Sequence, residues 1–245
     1  MNDRILREDE GGVCTLTLDR PGKLNALDEA TFEALDEACA ALEADDATAC
    51  VVLRGAGRSF CAGNDLDDIA QGGGARDVHF RGRTVERIAN LPQPVVAAIR
   101  GHCYTGGLEL ALAADLLWAS ETARFADTHG KWGLAPIWGM SQRLPRRVGL
   151  ATAREMMFTS RTLDADDAAR VGLVDRVVAD DALEAAVSEL AARIAANSSF
   201  SNRANKRMLR ETDGMTLAEG IEYERKHSPG MAPDALDRIR AFSKR

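Results

Sequence analysis

No apolar run in this sequence approaches the roughly 20 residues that a transmembrane helix requires. The first residues, MNDR, also lack the cationic and apolar pattern of a secretory signal. These two absences predict a cytoplasmic protein with no membrane partner.

Cysteine and histidine are too few and too scattered to indicate a disulfide framework or a metal centre. The five cysteines are an odd number and form no C-x-x-C pair, and most lie in apolar stretches where cysteine behaves as a small buried side chain. The four histidines show no metal-ligand spacing. We therefore expect no disulfide and no bound metal.

Acidic residues outnumber basic ones, and the formal net charge is −7. A nucleic-acid-binding protein would need a basic face, so we expect no nucleic-acid partner. Coenzyme A is not excluded, because a few local cations suffice to hold its phosphates. Candidates for that contact are Arg20, Lys23 and the terminal residues 244–245.

The composition, 45% hydrophobic and 28% charged, is ordinary for a globular protein, and 245 residues suffice for one sizeable core with an appendage. Alternating strand and helix patterns in the first part predict a mixed α/β core at 1–145, and helical patterns follow at 146–245. The predicted strands are 13–18, 49–53, 95–99 and 115–119. The first predicted helix is capped by Asp28, and further helices are predicted at 107–114, 150–157, 182–196, 203–210 and 216–226.

Two glycine turns are the most informative segments: residues 60–66 (FCAGNDL) and 104–109 (YTGGLE). Each follows a predicted strand and precedes a predicted helix. Glycine permits close approach of the backbone, and the first N–H groups of a helix lack intrahelical acceptors. Together the turns can direct two N–H groups at one developing oxyanion, with Glu109 beside them for proton transfer. Taken singly, each is better explained as an ordinary strand-to-helix turn, because short glycine motifs often occur without a function.

From about residue 10 to its end, the chain resembles the crotonase (enoyl-CoA hydratase/isomerase) superfamily. The resemblance includes both glycine turns and the segments 16–21 (LTLDRP), 25–27 (NAL), 95–99 (VVAAI), 109–115 (ELALAAD), 142–144 (QRL) and 168–174 (AARVGLV). It implies an α/β fold, a spiral of β-β-α turns with a C-terminal helical appendage that supports oligomer contacts and the acyl pocket. It also implies an acyl-CoA thioester substrate, coenzyme A as part of that substrate with no permanently bound cofactor, and a homotrimer or a hexamer built as a dimer of trimers.

Residue by residue, the resemblance makes the backbone amides of Asn64 and Gly106 the oxyanion donors and Glu109 the general base. The chain departs from the family pattern at His129, where a hydratase carries a second glutamate. Histidine can exchange a proton near neutral pH, so Glu109 and His129 can divide the base and acid roles. His129 is equally a pocket-wall or interface residue, and Asp127 is a weaker candidate for the missing carboxylate.

The chain departs from the family pattern a second time at Ile137 and Trp138, two bulky residues at a position where relatives carry a glycine-rich turn. We expect these two residues to narrow or reshape the acyl pocket. Asp65 is expected to cap the next helix. The stretch 71–75 is interpreted as a mobile loop beside the pocket, or as a connector without a role. By analogy, the residues that bind coenzyme A or substrate are Lys23, Leu24, Ala26, Ala62, Gly63, Asp65 and Leu66.

The leading functional hypothesis is hydration of a 2-trans-enoyl-CoA to a 3-hydroxyacyl-CoA. Isomerisation of a 3-enoyl-CoA, thioester hydrolysis and decarboxylation remain open as alternatives on the same fold. So does an acyl-CoA-binding protein that has lost turnover.

Overall fold

The structure is a computed structural model that describes residues 3–70, 72, 77 and 79–243. Of the predicted loop 71–75 only Gly72 belongs to the described residues, and residues 244–245 lie outside them. The strands are β1 (Ile5–Glu10), β2 (Val13–Leu18), β3 (Cys50–Gly55), β4 (Val95–Ile99), β5 (His102–Tyr104), β6 (Leu116–Ser120), β7 (Arg124–Ala126), β8 (Leu163–Asp164) and β9 (Arg176–Val178). The helices are α1 (Glu29–Glu43), α2 (Leu66–Ala70), α3 (Phe80–Asn90), α4 (Gly106–Ala111), α5 (Met140–Thr159), α6 (Ala165–Arg170), α7 (Leu183–Ala196), α8 (Ser199–Glu211), α9 (Leu217–His227) and α10 (Ala235–Phe242).

A large sheet with strand order β1-β2-β3-β4-β6-β9 forms the centre of the fold. Only β1 and β2 are antiparallel, and the other neighbours pair in parallel. Every residue of β4, the run VVAAI, is buried, as expected for a parallel strand covered on both faces. Helix α7 packs on one face through Leu183, Val187 and Ala191, and the larger core lies on the other.

A small second sheet, ordered β5-β7-β8, positions the candidate site. Strands β5 and β7 run parallel with Tyr104 opposite Ala126, so their carboxyl ends lie at the same edge. Helix α4 begins two residues after β5, and a short 3-10 turn, His129–Trp132, follows β7. Side chains that are distant in sequence are thereby brought to one edge of the sheet.

The structure confirms the predicted α/β class, and the observed strands β2 and β4 match the predicted bounds. Asp28 caps α1 as predicted, since its Oδ1 accepts the backbone N–H of Thr31 at 2.9 Å. Among the helices of the described ranges, none is long and apolar enough to cross a membrane.

Helices α4 and α5 are among the elements whose boundaries differ from the prediction. Helix α4 ends at Ala111 rather than 114, because Ala113 and Ala114 donate to carbonyls three residues earlier and tighten the chain into turns. Helix α5 begins at Met140 and is interrupted at Gly149, whose φ of 76° is not helical. The division of the chain at residue 145 remains a prediction.

The segment after residue 145 is not purely helical, because it also contains β8 and β9. Strand β9 pairs in parallel with β6 and extends the large sheet. These strands have two and three residues, too few for an alternating pattern to be recognised in the sequence.

Candidate active site

The two glycine turns meet in space. A Cβ placed on Gly106 would lie 3.3 Å from the backbone nitrogen of Asn64 and would overlap the Trp138 ring. Gly63 has a φ of 107°, and a Cβ there would lie 3.0 Å from the carbonyl oxygen of Tyr104. Both positions therefore require glycine, Gly63 for its backbone conformation and Gly106 for close approach.

Among the residues that the structure describes, the backbone amides of Asn64 and Gly106 have no hydrogen-bond acceptor. Within the described ranges, neither N–H donates a hydrogen bond to another backbone group, whereas the neighbouring Asp65 N–H donates to Leu27 at 2.9 Å. Gly106 is buried and opens α4, so its N–H is one of the donors that a helix leaves unsatisfied. Two unpaired donors side by side suit an anionic oxygen.

Arg81 holds the side chain of Asn64 in place. Its Nη1 donates to Asn64 Oδ1 at 2.9 Å, and its Nη2 lies 2.6 Å from Asp68 Oδ2 and 3.0 Å from Glu29 Oε2. The Arg81 side chain is 9% exposed. A buried guanidinium with two carboxylate partners is a rigid support, so it fixes the turn that carries the Asn64 amide.

Glu109 projects from α4 into the interior and is 1% exposed. Its Oε1 accepts the backbone N–H groups of Trp138 at 3.0 Å and Met140 at 3.1 Å. Burial raises the pKa of Glu109, and those two hydrogen bonds and a charged His129 oppose that rise. A buried carboxylate with a raised pKa is a suitable proton acceptor near neutral pH.

His129 lies next to Glu109 in the interior, and their roles as acid and base remain a prediction. Its Nε2 lies 3.7 Å from Glu109 Oε2, and its Nδ1 lies 2.6 Å from Asp127 Oδ1. Asp127 and His129 are both buried. Three ionisable groups therefore form a chain inside the protein, with His129 between two carboxylates.

Trp138 and Ile137 lie in different surroundings. The Trp138 ring is buried against Gly106 and packs edge-on against Phe32 with ring centroids 4.9 Å apart. Ile137 is 60% exposed and lines an open groove of about 450 Å³ together with Trp138 and Gly82. Trp138 thus forms a wall next to the amide pair, whereas Ile137 lies at the mouth of the groove.

The predicted coenzyme A segments lie side by side. Ala62 N–H donates to Leu24 at 2.9 Å, Leu27 N–H donates to Gly63 at 2.8 Å, and Asp65 N–H donates to Leu27 at 2.9 Å. These backbone bonds place residues 24–27 along residues 62–65 as one continuous wall. Ala26 lies in this wall, and its carbonyl accepts from the Arg20 guanidinium.

Asp65 and Lys23 are the two charged residues among those predicted to bind coenzyme A or substrate, and both form ion pairs within the protein. Asp65 pairs with Arg20 at 2.9 Å, and its Oδ1 caps the following helix by accepting the N–H of Asp67 at 3.0 Å, as predicted. Lys23 contacts Asp67 at 2.9 Å on the surface, and Leu66 is partly exposed.

Sequence reasoning named Asp127 only as a weaker candidate for the missing carboxylate, and it did not place Arg81 or Phe32 at the site. The spacing D-x-H at 127–129 is the one signal that favours a local carboxylate and imidazole contact. Arg81 and Phe32 come from α3 and α1 and reach the site only through tertiary packing, so no local pattern marks them.

Comparison with known proteins gives consistent matches along the chain. The family described as "Enoyl-CoA hydratase/isomerase" matches residues 8–231. A probable enoyl-CoA hydratase from Rhizobium meliloti is 39% identical over 91% of this chain and 88% of its own length. The 1,2-epoxyphenylacetyl-CoA isomerase of Escherichia coli is 34% identical over 99% of this chain and 96% of its own. A crystal structure of an enoyl-CoA hydratase from Bacillus anthracis superposes with a TM-score of 0.91 at 32% identity, covering 98% of this chain and 96% of that one.

The fold and these matches define the class of protein, an enzyme of the crotonase superfamily. This chain belongs to the enoyl-CoA hydratase/isomerase family.

Proposed function

We propose that this enzyme adds water to a 2-trans-enoyl-CoA and forms a 3-hydroxyacyl-CoA. The observation that carries the proposal is the 3.7 Å separation of Glu109 Oε2 and His129 Nε2, next to two unpaired backbone amides. Hydration requires one group that removes a proton from water, one that supplies a proton to carbon, and donors for the negative charge that develops between these events.

In the proposed reaction, ionised Glu109 takes a proton from water while the water oxygen bonds to C3 of the enoyl group. The C2=C3 electron pair moves toward the thioester, and the resulting oxyanion accepts the N–H groups of Asn64 and Gly106. Protonated His129 then gives its Nε2 proton to C2. One water is consumed, and the product carries its hydroxyl at C3 and its hydrogen at C2.

The contact between Glu109 and His129 also provides a route for resetting the site. After addition, Glu109 is protonated and His129 is neutral. Transfer of one proton from the carboxyl group to the imidazole restores both starting forms without a further reactant. The short separation of the two groups makes this transfer local.

Coenzyme A is proposed to lie along the wall formed by residues 24–27 and 62–65. Asn64 belongs to this wall, and Gly106 lies next to Asn64. Coenzyme A bound along the wall therefore directs the thioester carbonyl oxygen at the backbone N–H groups of these two residues. Lys23 directly precedes residue 24, is exposed and already has a carboxylate partner, so exchanging Asp67 for a phosphate oxygen requires no rearrangement of buried groups.

Trp138 is proposed to limit the acyl chain, with Ile137 at the entrance. The Trp138 ring leaves no room for even a Cβ on Gly106, so the space beside the carbonyl is narrow. We expect Trp138→Ala to raise kcat/KM for a long or branched 2-enoyl-CoA relative to crotonyl-CoA. The ratio of the two kcat/KM values in the variant and the parent enzyme measures this effect, and an unchanged ratio would place the acyl chain elsewhere.

The experiment for the reaction itself follows loss of conjugated enoyl-thioester absorbance with crotonyl-CoA and a longer 2-enoyl-CoA, with mass analysis of the products. Hydration adds one water, isomerisation of a 3-enoyl-CoA leaves the mass unchanged, and hydrolysis releases a thiol. A product heavier by one water supports the proposal. Ligand-dependent thermal stabilisation without any product would indicate a binding protein.

Isomerisation of a 3-enoyl-CoA is the second candidate, because it needs only one group that removes and returns a proton. Glu109 beside the amide pair meets that requirement without His129, and the matching family is described as "Enoyl-CoA hydratase/isomerase". Turnover of a 3-enoyl-CoA without hydration of the 2-enoyl isomer would favour this reaction.

A trimer, alone or paired as a hexamer, is proposed as the assembly. The described part of the chain leaves large apolar side chains exposed on α9 and α10, among them Leu217 at 82% and Phe242 at 80% exposure. Such faces are typical of surfaces that are covered in an oligomer. Light scattering on the purified protein distinguishes a monomer, a trimer and a hexamer.

A further inference from the structure

A buried carboxylate lies directly behind His129. Asp127 Oδ1 is 2.6 Å from His129 Nδ1 and also accepts the backbone N–H of His129 at 3.1 Å. Asp127 is 1% exposed and His129 is 8% exposed. Burial of both partners makes this contact stronger than an equivalent contact in water.

The geometry gives the two imidazole nitrogens different partners. Nδ1 faces Asp127, which precedes it by two residues at the end of β7, and Nε2 faces Glu109, which comes from α4. A neutral imidazole has one donor and one acceptor nitrogen, and a carboxylate selects the donor. Asp127 therefore favours a proton on Nδ1, which leaves Nε2 as the nitrogen that gains and loses the exchangeable proton.

We propose that Asp127 is a positioning residue that fixes the tautomer and ring orientation of His129, so that the exchangeable proton is held at Nε2 facing Glu109 and the substrate. This inference rests on the proposed function, because it assigns a purpose to the His129 proton in that reaction. Asp127 itself exchanges no proton with the substrate. Its charge also balances an imidazolium between two buried carboxylates.

A purely structural role for Asp127 is the competing explanation. Its Oδ1 accepts the first N–H of the 3-10 turn His129–Trp132, a bond that shapes the turn whether or not His129 reacts. Loss of stability alone therefore does not test the proposal. The test must measure the effect of replacing Asp127 twice, once in the parent enzyme and once in a variant that has no imidazole at position 129.

The first experiment is a double-mutant cycle with Asp127→Asn and His129→Gln. Asparagine keeps the size and one acceptor oxygen but removes the charge. In the parent enzyme we expect Asp127→Asn to lower kcat about 10²-fold with little change in KM, a loss within the span seen for orienting partners of histidine. In the His129→Gln background the same change should alter kcat by less than about twofold, because nothing remains to be oriented. Equal losses in both backgrounds would overturn the proposal.

The second experiment needs no turnover and no variant of Asp127. Nitrogen-15 spectra of histidine-labelled protein report the tautomer of neutral His129, and His129→Gln assigns its signal. The proposal requires the Nδ1–H tautomer, and an Nε2–H tautomer would overturn it. If this tautomer is found but crotonyl-CoA is not hydrated, the proposed reaction fails while the assignment of Asp127 stands.

Discussion

The interior of the spiral core and the surface of the C-terminal helices use charge in opposite ways. In the core, Glu109 and Asp127 are each 1% exposed and have buried partners. On α10, Arg238 and Asp234 form an ion pair in which both side chains are about half exposed, at 46% and 51%. The same α10 presents Phe242 to solvent.

Electrostatic interactions are therefore strong in the interior of this molecule and weak at its surface. Charges at the surface are screened by water and salt, so their pairing contributes little to stability. Buried charges interact strongly and are costly when a partner is removed. Chemistry is therefore expected where ionisable groups are buried beside the amide pair, and assembly is expected where apolar faces of amphipathic helices are exposed.

The largest effect is expected from Glu109→Gln. Glutamine preserves the two backbone hydrogen bonds at Oε1 but cannot remove a proton from water. Turnover should fall by about 10²–10⁴, the range for loss of a positioned acid or base, with a modest change in KM. Steady-state kinetics with crotonyl-CoA measures this, and unchanged turnover would remove Glu109 from the mechanism.

The next largest effect is expected from Gly106→Ala. The new Cβ would meet the Trp138 ring and approach the Asn64 nitrogen, so the amide pair must separate and kcat should fall by about 10²–10³. The matched control is Gly220→Ala in α9, where the nearest atom to the new Cβ is 3.8 Å away and no effect on kcat is expected. A smaller penalty for Gly106→Ala in a Trp138→Ala background would identify the ring as the obstacle. Equal kcat for Gly106→Ala and the parent enzyme would contradict the assigned donor.

Arg81→Ala should lower the stability of the protein. It leaves Glu29 and Asp68 without their shared guanidinium and frees the Asn64 side chain, so we expect a loss of about 2–4 kcal/mol in the free energy of unfolding. Arg238→Ala, which breaks the exposed pair on α10, should cost less than about 1 kcal/mol. Urea unfolding of both variants tests the contrast between buried and exposed charge, and equal losses would contradict it.

The pH dependence of kcat/KM should reflect the raised pKa of Glu109. Because the ionised form is the base, activity should fall as pH decreases, with a midpoint above the ordinary carboxyl value of 4.5. The contribution of Glu109 to stability has the opposite pH dependence. Because burial favours the protonated carboxyl group, the stabilising contribution of Glu109 is complete below pH 4.5 and is lost as pH rises through its raised pKa. Glu109→Gln should therefore raise Tm at neutral pH by a few degrees and have little effect on Tm in acid. An acid limb at or below 4.5 would contradict the predicted burial effect.

The smallest effect is expected from Lys23→Ala. Lys23 is exposed, so its removal should leave Tm unchanged and raise KM for an acyl-CoA by about two- to fivefold through loss of one screened phosphate contact. Raising the salt concentration should remove the difference between the variant and the parent enzyme. A KM unchanged at low salt would place the phosphates away from Lys23.

The sequence predicts those parts of the fold that depend on local patterns. Apolar alternation in β2, the continuous apolar run of β4 and the Asp28 cap are local, and all three were predicted correctly. Strands β8 and β9 were missed because pairing with distant strands, rather than their own composition, defines them.

The same distinction applies to the site. Glycine turns and the position of Glu109 within its helix are visible in the sequence, and the structure brings Gly106, Asn64, Glu109 and His129 together. Arg81 was not predicted, because its contacts with Asn64 span 17 residues and those with Glu29 span 52. His129 also lies 3.7 Å from Glu109, which is 20 residues away and comes within reach only through the packing of the core, whereas Asp127 is a local neighbour.

The most direct test of the account is incubation of crotonyl-CoA with the parent enzyme and with Glu109→Gln in water enriched in oxygen-18, followed by mass spectrometry of the acyl group. We expect a 3-hydroxyacyl product that carries one heavy oxygen from solvent, formed by the parent enzyme and about 10²–10⁴-fold more slowly by the variant. A product without solvent oxygen, or equal incorporation by both proteins, would contradict hydration by Glu109.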